Sequence, residues 1–229
     1  EPVQMHAGVK RGAESEADEQ FVHDLAEDWN VPFVSEKAKI SHDENLENNA
    51  RQIRYGFLEK IRQSYHAKYI AVAHHLDDQL ETILMHMFRG SGLRGLSGMS
   101  TQNGSIIRPL LDVRRKEILD FLIQHHLPYR LDRTNEDISF NRNYLRHMVI
   151  PYLKKAQPSF ESELLKMKKH AEEEFAHLSH HATEWLTSHF HDDQFLRSDY
   201  IRLSPELQSE ILIQLLGPIH LYQRSIRRL

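Results

Sequence analysis

A short apolar run, Lys68–Ala73 (KYIAVA), passes with almost no spacer into a stretch of helical periodicity, and that junction constrains the chain more than any other feature. The run is short, apolar and carries β-branched Ile70 and Val72, which suits a buried strand. After it, Leu80, Ile83, Leu84 and Met87 recur at the spacing of one helical face. The same alternation holds upstream. Ser15, with Asp18 three positions on, reads as a helix start of the capping-box kind. Phe21, Val22, Leu25, Ala26 and Trp29 then form its apolar stripe, and Asn30 and Pro32 end it. Val31–Val34 is a strand candidate, and Asp43–Ser64 a helix with Ile53, Phe57 and Ile61 on one side. Helix, strand, helix, strand, helix predicts an α/β fold with a parallel sheet covered by helices. Such sheets bind ligands at the carboxyl ends of their strands, and the segment after Ala73 is one such end.

Downstream, Gly90–Gly98 is expected to be a loop and Ile106–Leu110 a strand. Asp112 is expected to cap a helix to about His126, and Ser139 another to about Lys155. Pro158 and Ser159 open the longest helix, where Phe160, Leu164, Met167, Ala171, Phe175, Leu178, Ala182 and Trp185 make a narrow seam of the bundle kind. Ser204-Pro205 starts a last helix, broken by Gly217-Pro218. A domain change is placed near Gln157, giving one domain over 1–157 and a smaller helical domain over 158–229. The chain has no cysteine, which excludes a disulfide framework, a thiolate metal site and a Cys nucleophile. Without an apolar run of membrane-spanning length or a signal-peptide pattern at Glu1–Lys10, it reads as cytoplasmic, with no membrane partner. The net charge of -4 does not by itself announce a nucleic-acid partner.

Three clusters carry candidate chemistry. The first is His74-His75-Leu76-Asp77-Asp78-Gln79-Leu80-Glu81-Thr82. With a helix starting near Leu76, Asp77, Asp78 and Glu81 share a side of its first turn. Carboxylates so placed hold a hard cation such as Mg²⁺, or simply favour the helix N-terminus through its dipole. The second is Arg89-Gly90-Ser91-Gly92-Leu93-Arg94-Gly95, where glycines allow close backbone approach and arginines meet phosphate, or which is only a surface loop. It is not a Walker motif. The third is Asp132 and Asn135 followed by Arg142-Asn143 and Arg146-His147. Arg142 and Arg146, four apart on a helix, make a phosphate clamp or a pair of surface arginines answered by local acids.

The three clusters occur together and in order, and together they resemble the signature of the tRNA(Ile)-lysidine synthases. Ala50-Arg51-Gln52-Ile53-Arg54-Tyr55 is similar to that family's Ala-Arg-x-x-Arg-Tyr helix, and Arg108-Pro109-Leu110-Leu111-Asp112 also fits its pattern. The resemblance runs from about Gly12 to Leu153. It implies an N-type ATP pyrophosphatase with an adenine-nucleotide α-hydrolase-like fold. It implies that ATP adenylates the C2 oxygen of the wobble cytidine in a CAU-anticodon tRNA(Ile), and that free lysine displaces AMP to give lysidine. By the same resemblance Asp78, Glu81 and Arg142 are catalytic, and Asp78, Glu81 and Asp77 bind Mg²⁺. Arg51, Arg54, His74, Arg89, Gly90, Arg94 and Arg146 contact phosphates of ATP or tRNA. A homodimer and a tRNA-contacting helical middle domain are implied by resemblance alone.

The family's opening Ser-Gly-Gly-x-Asp-Ser loop, whose backbone N–H groups hold ATP phosphates, has no match here, and the usual C-terminal domain is missing too. With the other motifs intact, the sequence reads as a fragment. The alternative is a catalytically silent tRNA-binding module of the same fold. A metal-dependent phosphoesterase using His74, His75, Asp77 and Asp78 is disfavoured, since no second His and Asp cluster completes a two-metal site.

Overall fold

A computed structural model describes residues 4–6, 13–36, 46–131 and 141–216. The chain divides into two compact units. The first comprises Glu1–Leu76 and Ser100–Arg133, the second Asp77–Met99 and Thr134–Leu229. Among the described residues no helix is long and apolar enough to cross a membrane.

The first unit opens with β1 (Gln4–His6), α1 (Ala13–Asp28), β2 (Phe33–Ser35), α2 (Leu46–Ser64) and β3 (Ile70–Ala71). Strand β1 lies in a stretch with no sequence period; it exists because its backbone pairs in parallel with β2, Met5 opposite Val34. After α3 (Leu76–Phe88) and α4 (Gly92–Leu96), which belong to the second unit from Asp77 on, come β4 (Gln102–Asn103), β5 (Ile106–Ile107) and α5 (Arg115–Gln124). The expected parallel arrangement is present: β3 pairs with β5, Ile70 opposite Ile106. An antiparallel edge strand, β4, adds to β5. Only Ile70 and Ala71 of the apolar run are strand, with Val72 N–H reaching the Ile107 carbonyl at 3.0 Å. The core gathers Phe57, Leu58, Ile61 and Ile70, with Val34, Tyr55 and Val72 packed against them. Ile53, expected on the same face, is 40% exposed. Asp112 is not the cap of α5. That helix starts later, and the Glu117 side chain accepts from the Arg114 backbone N–H at 2.8 Å.

The second unit is helical. Helix α3 (Leu76–Phe88) begins where the sequence placed it. Next is α4 (Gly92–Leu96), a single helical turn where a loop was expected. Ser97 closes that turn twice: its N–H donates to the Leu93 carbonyl at 2.9 Å and its Oγ to the Arg94 carbonyl at 2.8 Å. Helix α6 (Asn141–Tyr144) runs through a π turn (Leu145–Val149) into α7 (Ile150–Ala156). Pro151 lacks an N–H and would crowd the carbonyl one turn back. The wider turn relieves this, with Ile150 N–H donating to the Leu145 carbonyl. Gln157 lies at the break between α7 and α8 (Phe160–His189), and α9 (Arg197–Tyr200) and α10 (Pro205–Leu216) complete the unit. Ser139, the expected cap, and Gly217-Pro218 lie outside the described residues.

Two cores hold this unit. Leu80, Ile83 and Leu84 of α3 meet Leu145 and Leu164. Each such side chain, fully buried, contributes on the order of 1.5–3 kcal/mol. Ala182 and Trp185 of α8 meet Ile211 of α10, and the Trp185 ring stacks on His189 at 4.7 Å. Met87 and Met167, expected on buried faces, are 41% and 38% exposed.

Candidate functional site: a carboxylate and arginine cluster

Helix α3 presents two acids to two arginines of the α6–π–α7 segment. Asp78 and Glu81 are three apart and Arg142 and Arg146 four apart, so each pair shares one helical face. The faces meet. Arg142 Nε donates to Glu81 Oε2 at 2.6 Å, and its Nη2 to Asp78 Oδ1 at 3.2 Å. Arg146 Nε donates to Glu81 Oε1 at 2.6 Å, and its Nη2 to Glu81 Oε2 at 3.1 Å and Asp78 Oδ1 at 3.3 Å. Both Glu81 oxygens are therefore engaged, and its side chain is only 1% exposed. The Asp78 side chain is 13% exposed, Arg146 19% and Arg142 32%. Burial opposes the charge on Arg146. The Glu81 hydrogen bond and the negative charges of Glu81, Asp78 and Asp77 outweigh it and hold the guanidinium above its usual range.

The arrangement orders the expectations. Asp78, Glu81, Arg142 and Arg146 come together. Glu81 is fully used as the anchor that orients both guanidinium groups. Arg142 is the most exposed member, with its Nε and Nη2 committed to the acids and the edge that carries Nη1 not hydrogen-bonded to either of them. Such an edge suits an incoming phosphate. Magnesium fits less readily. Both Glu81 oxygens already accept from arginine, and among the described residues no three His, Asp or Glu side chains are placed to share a metal ion.

The other expected residues sit elsewhere. Arg51 and Arg54 lie on α2 in the first unit, Arg51 over the Tyr55 ring at 4.9 Å. His74 lies between β3 and α3, half-buried, also in the first unit. Arg89 and Gly90 close α3, where Gly90 takes a φ of 67°. Arg94 lies on α4 over the Phe175 ring at 5.5 Å. Neither Arg89 nor Arg94 joins the ion cluster. Asp132 and Asn135 lie outside the described residues.

Gln79 is a residue the sequence reading passed over. It is 2% exposed, and its amide brackets the Met99 backbone: Nε2 donates to the Met99 carbonyl at 2.7 Å, and Met99 N–H donates to Oε1 at 2.8 Å. Gly98 makes the approach possible. Its φ is 65°, and a Cβ there would lie 2.8 Å from Gln79 Oε1. One side chain thus ties the end of the glycine-rich segment to the acidic helix. His86, one face further on, is held below its ordinary pKa by burial first and by the Arg89 charge second, against the Gly95 backbone. Arg108 is likewise structural: only 6% exposed, it donates to the Ser100 carbonyl at 2.7 Å. Gln79→Ala is expected to strip both Met99 groups of their partner and cost about 1–3 kcal/mol. Thermal unfolding checks this; an unchanged midpoint would show that the clamp contributes nothing.

The PP-loop domain family matches residues 3–153, a span containing all four members of the cluster. The chain belongs to the PP-loop domain family. Within that family its relatives are tRNA(Ile)-lysidine synthases. It is 39% identical over 179 residues to the one from Porphyromonas gingivalis, covering 75% of this chain and 39% of that protein. It is 38% identical over 168 residues to that of Thermosipho africanus, covering 69% of this chain and 38% of the relative. It is 38% identical over 183 residues to one from Bacillus cereus, covering 76% of this chain and 38% of the relative. The chain thus spans about two fifths of the length of these relatives. Among solved structures, the U34-tRNA thiolase NcsA from Methanococcus maripaludis, with its [4Fe-4S] cluster, aligns with a TM-score of 0.60. The identity there is 13%, over 75% of this chain and 62% of that one, which speaks for the fold alone.

Proposed function

We propose that the chain is the nucleotide-activating part of a tRNA(Ile)-lysidine synthase. The observation that carries this is the 38–39% identity to synthases over most of the chain. In the proposed reaction the C2 oxygen of the wobble cytidine of a CAU-anticodon tRNA(Ile) attacks the α-phosphorus of ATP, and pyrophosphate leaves. The amine of free lysine then attacks C2. AMP departs with the former C2 oxygen, and the amine gives up its proton.

Each member of the cluster has a part in this scheme. Glu81 fixes the two guanidinium planes before substrate arrives, so little reorganisation is needed as charge develops. Arg142 offers its outer edge to the phosphate whose charge grows in the adenylation step. Arg146, more deeply buried, holds Asp78 and Glu81 in place. In this proposal Asp78, which keeps some exposure, takes the amine proton. Cytoplasmic location, ATP brought in with Mg²⁺, the lysine partner and a homodimer belong to the same proposal.

The test is incubation of the full-length gene product with ATP, Mg²⁺, lysine and unmodified CAU-anticodon tRNA(Ile), followed by mass analysis of the RNA. The expected gain is one lysine less one water. No gain, with tRNA still bound, would favour the silent binding module.

A further inference from the structure

The α6–π–α7 segment has two faces. Leu145, Val149 and Ile150 turn inward onto Leu80, Ile83 and Leu84. Tyr144, Met148 and Tyr152 turn outward and are 50%, 51% and 71% exposed. These three recur every four residues, so they line one stripe of the helix surface. Exposed Pro151 adds to it, and exposed His147 and Lys155 border it. Residues 141–156 contain no Asp or Glu, although the whole chain carries a net charge of -4. The two arginines of the segment are answered by Asp78 and Glu81, and Lys154 by Glu161 at 3.2 Å. What is left on the outer face is aromatic, apolar and basic.

We propose that this stripe is a stacking platform for unpaired nucleotides of the RNA substrate. Two tyrosines offer flat faces to bases of any sequence, and the bordering Lys155 suits the backbone. Tyr144 and Tyr152 are eight residues apart, about 12 Å along a helix at ~1.5 Å per residue. Three or four bases stacked at about 3.4 Å bridge that span. The stripe begins two residues from Arg142, so a loop lying on it leads toward the acid and arginine cluster. An acidic protein partner would fit the cations but would not need two open rings. This inference rests on the tRNA reading above and names where the RNA lies.

The experiment uses the full-length protein and two RNA probes: an anticodon stem-loop with a CAU loop carrying 2-aminopurine, and a blunt duplex of the same stem. The wild type is expected to bind the stem-loop more tightly and to quench the 2-aminopurine. Tyr144→Ala and Tyr152→Ala are each expected to weaken stem-loop binding about fivefold or more and reduce quenching. Duplex binding and the unfolding midpoint should hold, and Tyr152→Trp should retain quenching. Unchanged stem-loop affinity in the double alanine variant overturns the proposal. So does a shift in oligomeric state in that variant without loss of RNA binding, which would make the stripe a contact between copies. If the stem-loop stacks but no lysidine forms, the synthase reading fails and the platform stands. If lysidine forms and the double variant keeps the wild-type KM for tRNA, the platform alone fails.

Discussion

Arg146→Ala is expected to lower the thermal unfolding midpoint by roughly 10 °C, the largest stability loss of any single substitution at the cluster. The reason is the carboxylate left behind. Glu81 is 1% exposed, and Arg146 supplies the partner of Oε1 and one of the two donors to Oε2. Removing one partner of a buried ion pair costs on the order of 3–5 kcal/mol, because the other charge stays buried with its compensation reduced, here to Arg142 on Oε2. For a domain of this size each kcal/mol moves the midpoint by about 2–4 °C. A second variant separates the charge penalty from simple loss of packing. Glu81→Leu combined with Arg146→Met replaces the pair by apolar groups, while Arg142 keeps Asp78. It should recover much of the lost stability. If the double variant melts as low as Arg146→Ala, the loss came from packing and the buried-charge argument is wrong. The recovered protein should remain without modifying activity, since Arg142 has lost its anchor.

The acid and arginine spacings were readable in the sequence because each is local: a helix puts positions three and four apart on one side. Their meeting was not. Glu81 and Arg146 are far apart in the chain, and no periodicity states which arginine answers which acid. The sequence therefore left open whether Arg142 and Arg146 were a clamp for an incoming phosphate or a pair satisfied by neighbours. The structure answers with distant acids, Asp78 and Glu81, while the local acids lie outside the described residues. Gln79 was invisible for the same reason, since its partner is the backbone of Met99 across a turn. Strand β1 had no pattern of its own because pairing with β2 creates it. The segment at Gly92–Leu96 was expected as a loop on glycine content, yet the Ser97 hydroxyl and the packing of Arg94 on Phe175 hold one helical turn there, contacts that glycine content does not reveal. By contrast, α3 and α8 declare themselves through long apolar stripes, Leu80-Ile83-Leu84 and Leu164 to Trp185. The π turn follows from Pro151, a signal present in the sequence and readable only once the helix around it is known.

Asp78→Asn is expected to abolish lysidine formation, by at least about a hundredfold in kcat, while leaving tRNA binding intact. Asparagine keeps an oxygen where Asp78 Oδ1 receives Arg142 and Arg146, at 3.2 and 3.3 Å, so the arginines need not move. What changes is charge and basicity. Two carboxylates facing two guanidinium groups become one facing two, which leaves the cluster more positive and no less attractive to phosphate. An amide cannot take a proton from the attacking amine, and loss of such a general base costs about 10²–10⁴ in rate. The consequence is a split: kcat falls, KM for tRNA holds or drops. Single-turnover lysidine formation and RNA binding, measured on the same preparation, read the two quantities separately. ATP–pyrophosphate exchange in the presence of tRNA locates the block further. If Asp78 serves the lysine step, exchange survives the substitution; if exchange is lost too, Asp78 is needed already for adenylation. A parallel fall in tRNA binding and unfolding midpoint would place Asp78 with Glu81 as a structural anchor and remove it from the chemistry.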